Sequence, residues 1–210
     1  MNKPINVFND AWARCDMLSA THAYLSKSTT KALNSDELLR AEWVARISAL
    51  DLYIHELVAG LMVEIFIGNR PSTPAFNKFM LSNDAINRIM NASNQTEAGS
   101  IFDLEVRRQL GFVTYQGHES IADGIRLVSS VELWNSIASH YGATGTNHQK
   151  KAKEIKGQLS AIVSRRNQIA HEGDMQPTAP RTPWPIHKND LEIVREFIKK
   201  LVLGIDAIVN

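Results

Sequence analysis

The chain has 210 residues, long enough for one well-buried core, and its 44% hydrophobic and 21% charged residues describe an ordinary globular protein. A formal net charge of +1 supplies no global field for nucleic acid, so an anionic partner has to be met by a local patch. The single cysteine, Cys15, excludes an intramolecular disulfide framework and a multi-cysteine zinc site.

Met1 to Asp10 contains no apolar run of the kind a secretory signal needs, so the expected setting is the reducing cytoplasm, where the sequons at Asn91 and Asn94 are idle. A first helix is predicted from Asp10, a good N-cap, to about Lys27, with Trp12, Cys15, Leu18 and Leu25 on its apolar side. A Ser/Thr-rich linker, Ser26 to Ser35, follows. The second helix is predicted from Ser35 or Asp36 to Gly68-Asn69, and Pro71 prevents its return. Its stripe (Trp43, Ile47, Leu50, Ile54, Leu57, Leu61, Ile65) alternates by three and four, which suits bundle packing. At 1.5 Å per residue it spans roughly 45 Å and becomes the central strut. The apolar stretch Ile54 to Ile67 is interrupted by His55, Glu56 and Glu64, which rules out a membrane span.

From Arg70 to Gly117 prolines, asparagines and glycines punctuate short helical pieces around Phe76–Met80, Ala85–Met90 and Ser100–Leu110. Two further short helices fit Ser120–Val128 and Val131–His140. A turn at Gly142 to Gly145 leads into a long basic helix from about Asn147 to His171, stopped by Gly173. A proline-rich loop, Met175 to His187, precedes a last helix over about Asn189–Ile208. No segment alternates with period two. The expected fold is therefore all-α: one compact helical bundle with a long central helix and additional short helices.

The basic helix ends in Arg165-Arg166-Asn167-Gln168-Ile169-Ala170-His171, which sets a fixed cation, an amide and an imidazole within two turns. These are the side chains that metal-free phosphodiester chemistry on RNA requires. At 100° per residue, Ile155, Leu159, Ile162 and Ile169 fall within an arc of about 80°, and Arg166 lies inside it. A guanidinium on an apolar stripe is costly unless it is paired, stacked, opened to a cavity or snorkelling at the core's edge. Asn167 and His171 share the polar side, and Arg166 and His171 point about 140° apart. Three routes bring them together: a distorted last turn, an arginine that wraps round the helix, or a second copy supplying one of the pair.

Between Asn147 and His171 stand six basic residues (Lys150, Lys151, Lys153, Lys156, Arg165, Arg166) against one acid, Glu154. On a near-neutral chain this is a candidate phosphate-backbone footprint, the alternative being a solvated lysine face. Spacing alone is weak, because twelve arginines and seven histidines give about 0.4 chance matches at any one spacing. Arg181 and His187 form such a decoy, with Pro183 and Pro185 between them.

Context lifts the true motif. Arg165 to Asp174 near the end of a helix resembles the HEPN superfamily signature: an arginine, a polar residue, a few more residues and a histidine. The Ala49-to-Val58 segment is similar to the early helix of its RiboL-PSP branch, named for ribonuclease L and polymorphic toxins. Phe112 to Gln116, Leu133-Trp134 and Ile205-Asp206-Ala207 fit the same branch. The resemblance covers Leu38 to Val209 within a single domain of residues 1–210; the N-terminal helix and linker, 1–34, stand outside it.

The resemblance implies a dimerising helical bundle that brings two motif copies together, and in many members a metal-independent endoribonuclease acting as a toxin or phage-defence effector. Carried over, the catalytic set is Arg166, Asn167 and His171, with RNA as partner, a homodimer with a composite site, and an antitoxin or regulatory protein as a further partner. It implies no cofactor, and no His/Asp/Glu cluster has metal-ligand spacing. The expected reaction is attack of a 2′-hydroxyl on its adjacent phosphate, leaving a 2′,3′-cyclic phosphate. Asp51 and His55, one turn apart, are auxiliaries to such a site, against the plainer reading that His55 is a satisfied core residue; Arg165 either binds phosphate or is solvated. The rivals are a non-catalytic HEPN module that binds RNA or protein, and a purely structural dimerisation domain.

Overall fold

The computed structural model of the chain describes residues 3–28, 30, 33–145 and 147–209. Of the expected linker, Thr29, Lys31 and Ala32 lie outside the described residues. The described residues form eight α-helices: α1 (Pro4–Ser28), α2 (Asp36–Phe66), α3 (Asn83–Met90), α4 (Gln95–Leu110), α5 (His118–Val128), α6 (Leu133–His140), α7 (Asn147–Glu172) and α8 (Lys188–Val209). None of these helices is long and apolar enough to cross a membrane.

α2 is the strut. Its expected stripe is buried apart from the half-buried Leu61, and Leu39, Ala49, Tyr53, Val58 and Met62 are buried beside it. A helix apolar on most of its circumference has to be surrounded, and α1, α4, α5, α7 and α8 pack around this one. Its end is a Schellman motif: Gly68 takes φ +86°, its N–H donates to the Ile65 carbonyl at 3.1 Å, and the Asn69 N–H reaches the Glu64 carbonyl at 2.9 Å.

Several boundaries differ from the sequence expectation for local reasons. α1 begins at Pro4, not at Asp10, because proline at the first helical position gives up only an N–H that has no partner there. Phe8 and Ala11 join Trp12 and Cys15 in its buried face, and Asp10 points to solvent. The Phe76–Met80 piece is a single 3₁₀ turn, Phe76–Lys78, held by the buried Thr73 hydroxyl, which accepts from the Phe76 N–H. α4 starts five residues earlier than expected, capped by the Asn94 side chain on the Glu97 N–H. It runs through Gly99 because that position faces α2, 3.4 Å from Ile67 at the point a Cβ would occupy.

A buried ion network fastens α1 and α8 to the strut. Arg46, fully buried, donates to Glu42 from Nη2 at 2.8 Å and stacks 4.2 Å over the Trp12 ring. Arg195 of α8 reaches the same carboxylate at 2.6 Å, and Ser19 of α1 donates to it at 2.7 Å. Each partner satisfies an oxygen that burial would otherwise leave costly.

Candidate functional site

α7 lies antiparallel to α2. The Trp43 indole N–H donates to the Ile162 carbonyl at 3.0 Å, and Arg40, one turn earlier on α2, meets Asp174 just beyond the end of α7. Ala152, Ile155, Leu159 and Ile162 form the buried side of α7, but Ile169 is only partly covered. The bundle therefore stops short of the last two turns, and Arg166 is half-buried at that margin rather than sunk in the core.

The helix is continuous to Glu172, which removes a distorted last turn as the way to bring the motif together. The arginine instead leans onto its neighbour. Arg166 Nη1 donates to Asn167 Oδ1 at 3.0 Å, carrying the guanidinium toward the flank that Asn167 shares with His171. His171, one turn from Asn167, is exposed and makes no hydrogen bond or ion pair among the described residues. Arg166 likewise has no carboxylate partner among them, and its buried Nε has no hydrogen-bond partner. One flank of the helix end thus presents a guanidinium, an amide and an imidazole, with no hydrogen bond between the arginine and the histidine within one chain.

Arg165 has a different task. Its Nη2 donates to Asp174 Oδ2 at 2.8 Å and to the Pro185 carbonyl at 3.1 Å. Asp174 is fully buried, stands in the left-handed region at φ 58° directly after Gly173 at φ 62°, and also receives Arg40 Nε at 2.9 Å. Arg40 Nη2 continues to the Trp184 carbonyl at 2.6 Å, and the Trp184 N–H returns to the Asp174 carbonyl at 2.8 Å. The helix end, the proline-rich loop and the start of α2 are thereby tied at one carboxylate. Arg165 is thus part of this clamp. Asp174 and Arg40 escaped the sequence reading. A polar residue after a stop glycine was the only signal for the first, and the second lies 134 positions away.

Asp51 and His55 also belong elsewhere. Asp51 Oδ1 accepts the Tyr115 N–H at 2.6 Å and Oδ2 accepts from Gln116 Nε2 at 3.0 Å; His55 Nε2 lies 3.1 Å from the Val113 carbonyl and its ring meets the edge of Tyr115. The pair, 3.6 Å apart, shapes the α4–α5 loop. Along α2 they stand about 16 and 22 Å from Arg40 and the clamp, at 1.5 Å per residue. Within one chain their contacts are therefore to this loop and not to the motif helix. Tyr53 is core, donating to Asp206 at 3.0 Å.

The lysines face outward along the earlier turns of α7. Lys150 and Lys153 are exposed, Lys151 pairs with Glu154 at 3.3 Å, and Lys156 is half-buried in a hollow with Trp134, His118 and Arg126. They lie from about 15 Å to about 24 Å before Arg166 along the helix axis. Among the described residues no group of three His, Cys, Asp or Glu side chains gathers in a way that would hold a metal ion.

A family model described as RiboL-PSP-HEPN matches residues 13–210. The chain belongs to this family. The match begins inside α1, ahead of the Leu38 at which the motif resemblance starts, in keeping with the way Ser19 of that helix is built into the Glu42 network. No curated protein and no solved structure matches the chain. HEPN domains are generally ribonuclease-like or RNA-binding modules, and the all-α bundle with the motif at the end of a long helix is the architecture of this one.

Proposed function

We propose that this RiboL-PSP-HEPN protein is a metal-independent endoribonuclease. The observation that carries the reading is the division between the two adjacent arginines. Arg165 is neutralised by Asp174, whereas Arg166 has no carboxylate and is drawn toward the flank that holds His171. A guanidinium left without an acid beside an exposed imidazole suits an anionic ligand, and its planar fork suits a phosphate.

In this reaction a 2′-hydroxyl attacks the neighbouring phosphorus and the 5′-oxygen leaves, giving a 2′,3′-cyclic phosphate and a 5′-hydroxyl. His171 transfers the proton, a contribution of about 10²–10⁴ in rate. Arg166 complements the charge that accumulates on the phosphorane oxygens, and Asn167 orients the guanidinium it already binds. Because no hydrogen bond joins Arg166 and His171 within one chain, a second copy completes the site in a homodimer. Lys150, Lys151, Lys153 and Lys156 extend it as a phosphate-backbone footprint. A toxin or phage-defence effector in the cytoplasm, restrained by an antitoxin or regulatory protein, is the role that such an activity fits.

The test is cleavage of mixed cellular RNA by the purified chain in excess chelator, beside His171→Ala, Arg166→Ala and Arg166→Lys, with analysis of product ends. Cyclic phosphate ends that vanish in all three variants are expected, since lysine cannot reproduce the two-point contact. Cleavage that survives both alanine variants, or that stops with chelator, refutes the mechanism. The second reading, a non-catalytic module that binds RNA or protein, rests on the same lack of a hydrogen bond between Arg166 and His171; it predicts no cleavage and tolerance of Arg166→Lys.

A further inference from the structure

The proline-rich loop after the motif is an ordered arm. Met175 and Pro183 form an isolated antiparallel bridge, the Gln176 N–H donates to the Thr182 carbonyl at 2.9 Å, and its side chain reaches the Pro183 carbonyl at 3.1 Å. At the base of the arm the backbone of Trp184 is held on both sides: its N–H by the carbonyl of Asp174, whose carboxylate also anchors Arg165, and its carbonyl by Arg40. The Trp184 side chain, by contrast, is 39% exposed, and its indole makes no hydrogen bond or ring contact among the described residues. A large aromatic is thus presented at a fixed place beside the helix end, with the ordering of its backbone already complete. Within the arm itself the formal charge has one sign. From Met175 to Asn189 the chain contains no Asp or Glu, while Arg181, His187 and Lys188 are all exposed. Arg181 makes no ion pair among the described residues.

We propose that this arm forms a second wall of the RNA groove, with the Trp184 indole stacking on an unpaired base next to the scissile phosphate. The proposal rests on the ribonuclease reading above and adds to it the residue that holds a base of the strand. Aromatic faces accept any base, but only one that is out of its duplex. A rigid platform at the end of α7 fixes which phosphate of a strand comes to Arg166 and His171. The acid-free arm favours a polyanion over a protein surface as the occupant.

The full-length protein is titrated with a single-stranded oligoribonucleotide whose 2′-O-methyl groups block attack, with a duplex of the same sequence, and with single strands carrying one abasic nucleotide at successive positions. Trp184→Ala is expected to bind the single strand about 5- to 100-fold more weakly than the unaltered chain. Trp184→Phe restores most of that loss, and the duplex does not distinguish the three proteins. One abasic position weakens the unaltered chain and leaves Trp184→Ala indifferent. Because the backbone of Trp184, not its ring, makes the clamp bonds, the variants stay folded, and Trp184→Ala melts lower only by the packing of the covered part of the ring. The proposal is overturned if Trp184→Ala binds the single strand as tightly as the parent, or if it changes only the oligomeric state. In either case cleavage by the parent still upholds the ribonuclease reading. A parent that neither binds nor cleaves RNA overturns both.

Discussion

Replacing Asp174 by asparagine tests whether one buried carboxylate fastens the motif helix. The substitution keeps the volume and the tolerance of a left-handed backbone, so the φ of 58° adds no penalty of its own. What is lost is the charge facing Arg40 Nε at 2.9 Å and Arg165 Nη2 at 2.8 Å. Removing one partner of a buried ion pair costs about 3–5 kcal/mol. Two features lower that figure here. Arg40 keeps Glu37 at 3.1 Å, although that carboxylate is mostly in solvent, and Arg165 is itself partly exposed and keeps the Pro185 carbonyl. A loss of about 2–3 kcal/mol results, which for a chain of this size lowers the melting temperature by about 4–12 °C. Asp174→Ala adds the cost of a left-handed alanine, about 1–2 kcal/mol, and ranks below asparagine.

Thermal melting followed by circular dichroism measures the first effect, and amide exchange in the last turns of α7 and in the arm shows where the loosening occurs. A double-mutant cycle of Asp174→Asn with Arg165→Ala isolates the pair; residues in direct contact in one network couple by about 0.5–3 kcal/mol. Melting of Asp174→Asn within about 1 °C of the parent, together with additive effects in the cycle, would refute the clamp.

Two further outcomes follow from the same structure. Burial pushes the Glu42 carboxyl up, but hydrogen bonds from Arg195, Ser19 and Arg46 outweigh it and hold the group below its ordinary value of 4.5. A depressed folded-state value means that the stabilisation is complete above pH 4.5 and is lost as pH falls below it. Glu42→Gln should therefore melt lower at neutral pH but lose less on acidification, and parallel melting-temperature profiles for the two proteins would contradict this. Asp51→Ala strips the Tyr115 N–H and the Gln116 amide of their acceptor, at about 1–3 kcal/mol in urea unfolding. RNA cleavage per folded molecule should stay at the parent level, and a loss of cleavage without a loss of stability would return Asp51 to the reaction centre.

Much of the fold was legible because its signals are local. Gly68 and Gly173 stop α2 and α7 where their backbone takes positive φ, and the three-four stripe of α2 is the buried stripe. The boundaries that moved did so where a tertiary neighbour overrode a local signal. Gly99 reads as a breaker in isolation, yet α4 runs through it, packed against Ile67 and Val63. Asp51 and His55 read as a polar pair open to chemistry, but the loop they hold lies some sixty positions away, and no spacing rule reaches across it.

The motif shows the same division within two adjacent residues. Helical geometry placed Arg166 on the apolar arc and left Arg165 as a surface charge, and from the sequence both were candidates for phosphate. The distinction between them is made by Asp174, whose carboxylate can lie within the core only because Gly173 and its own left-handed backbone turn the chain back under the helix. That turn delivers an acid to Arg165 and Arg40 and delivers none to Arg166. The clamp and the free guanidinium are therefore two consequences of one backbone reversal. A substitution that straightened it would release Arg165 and misplace His171 together, so the two effects should not be separable by any change at Gly173 that forbids positive φ.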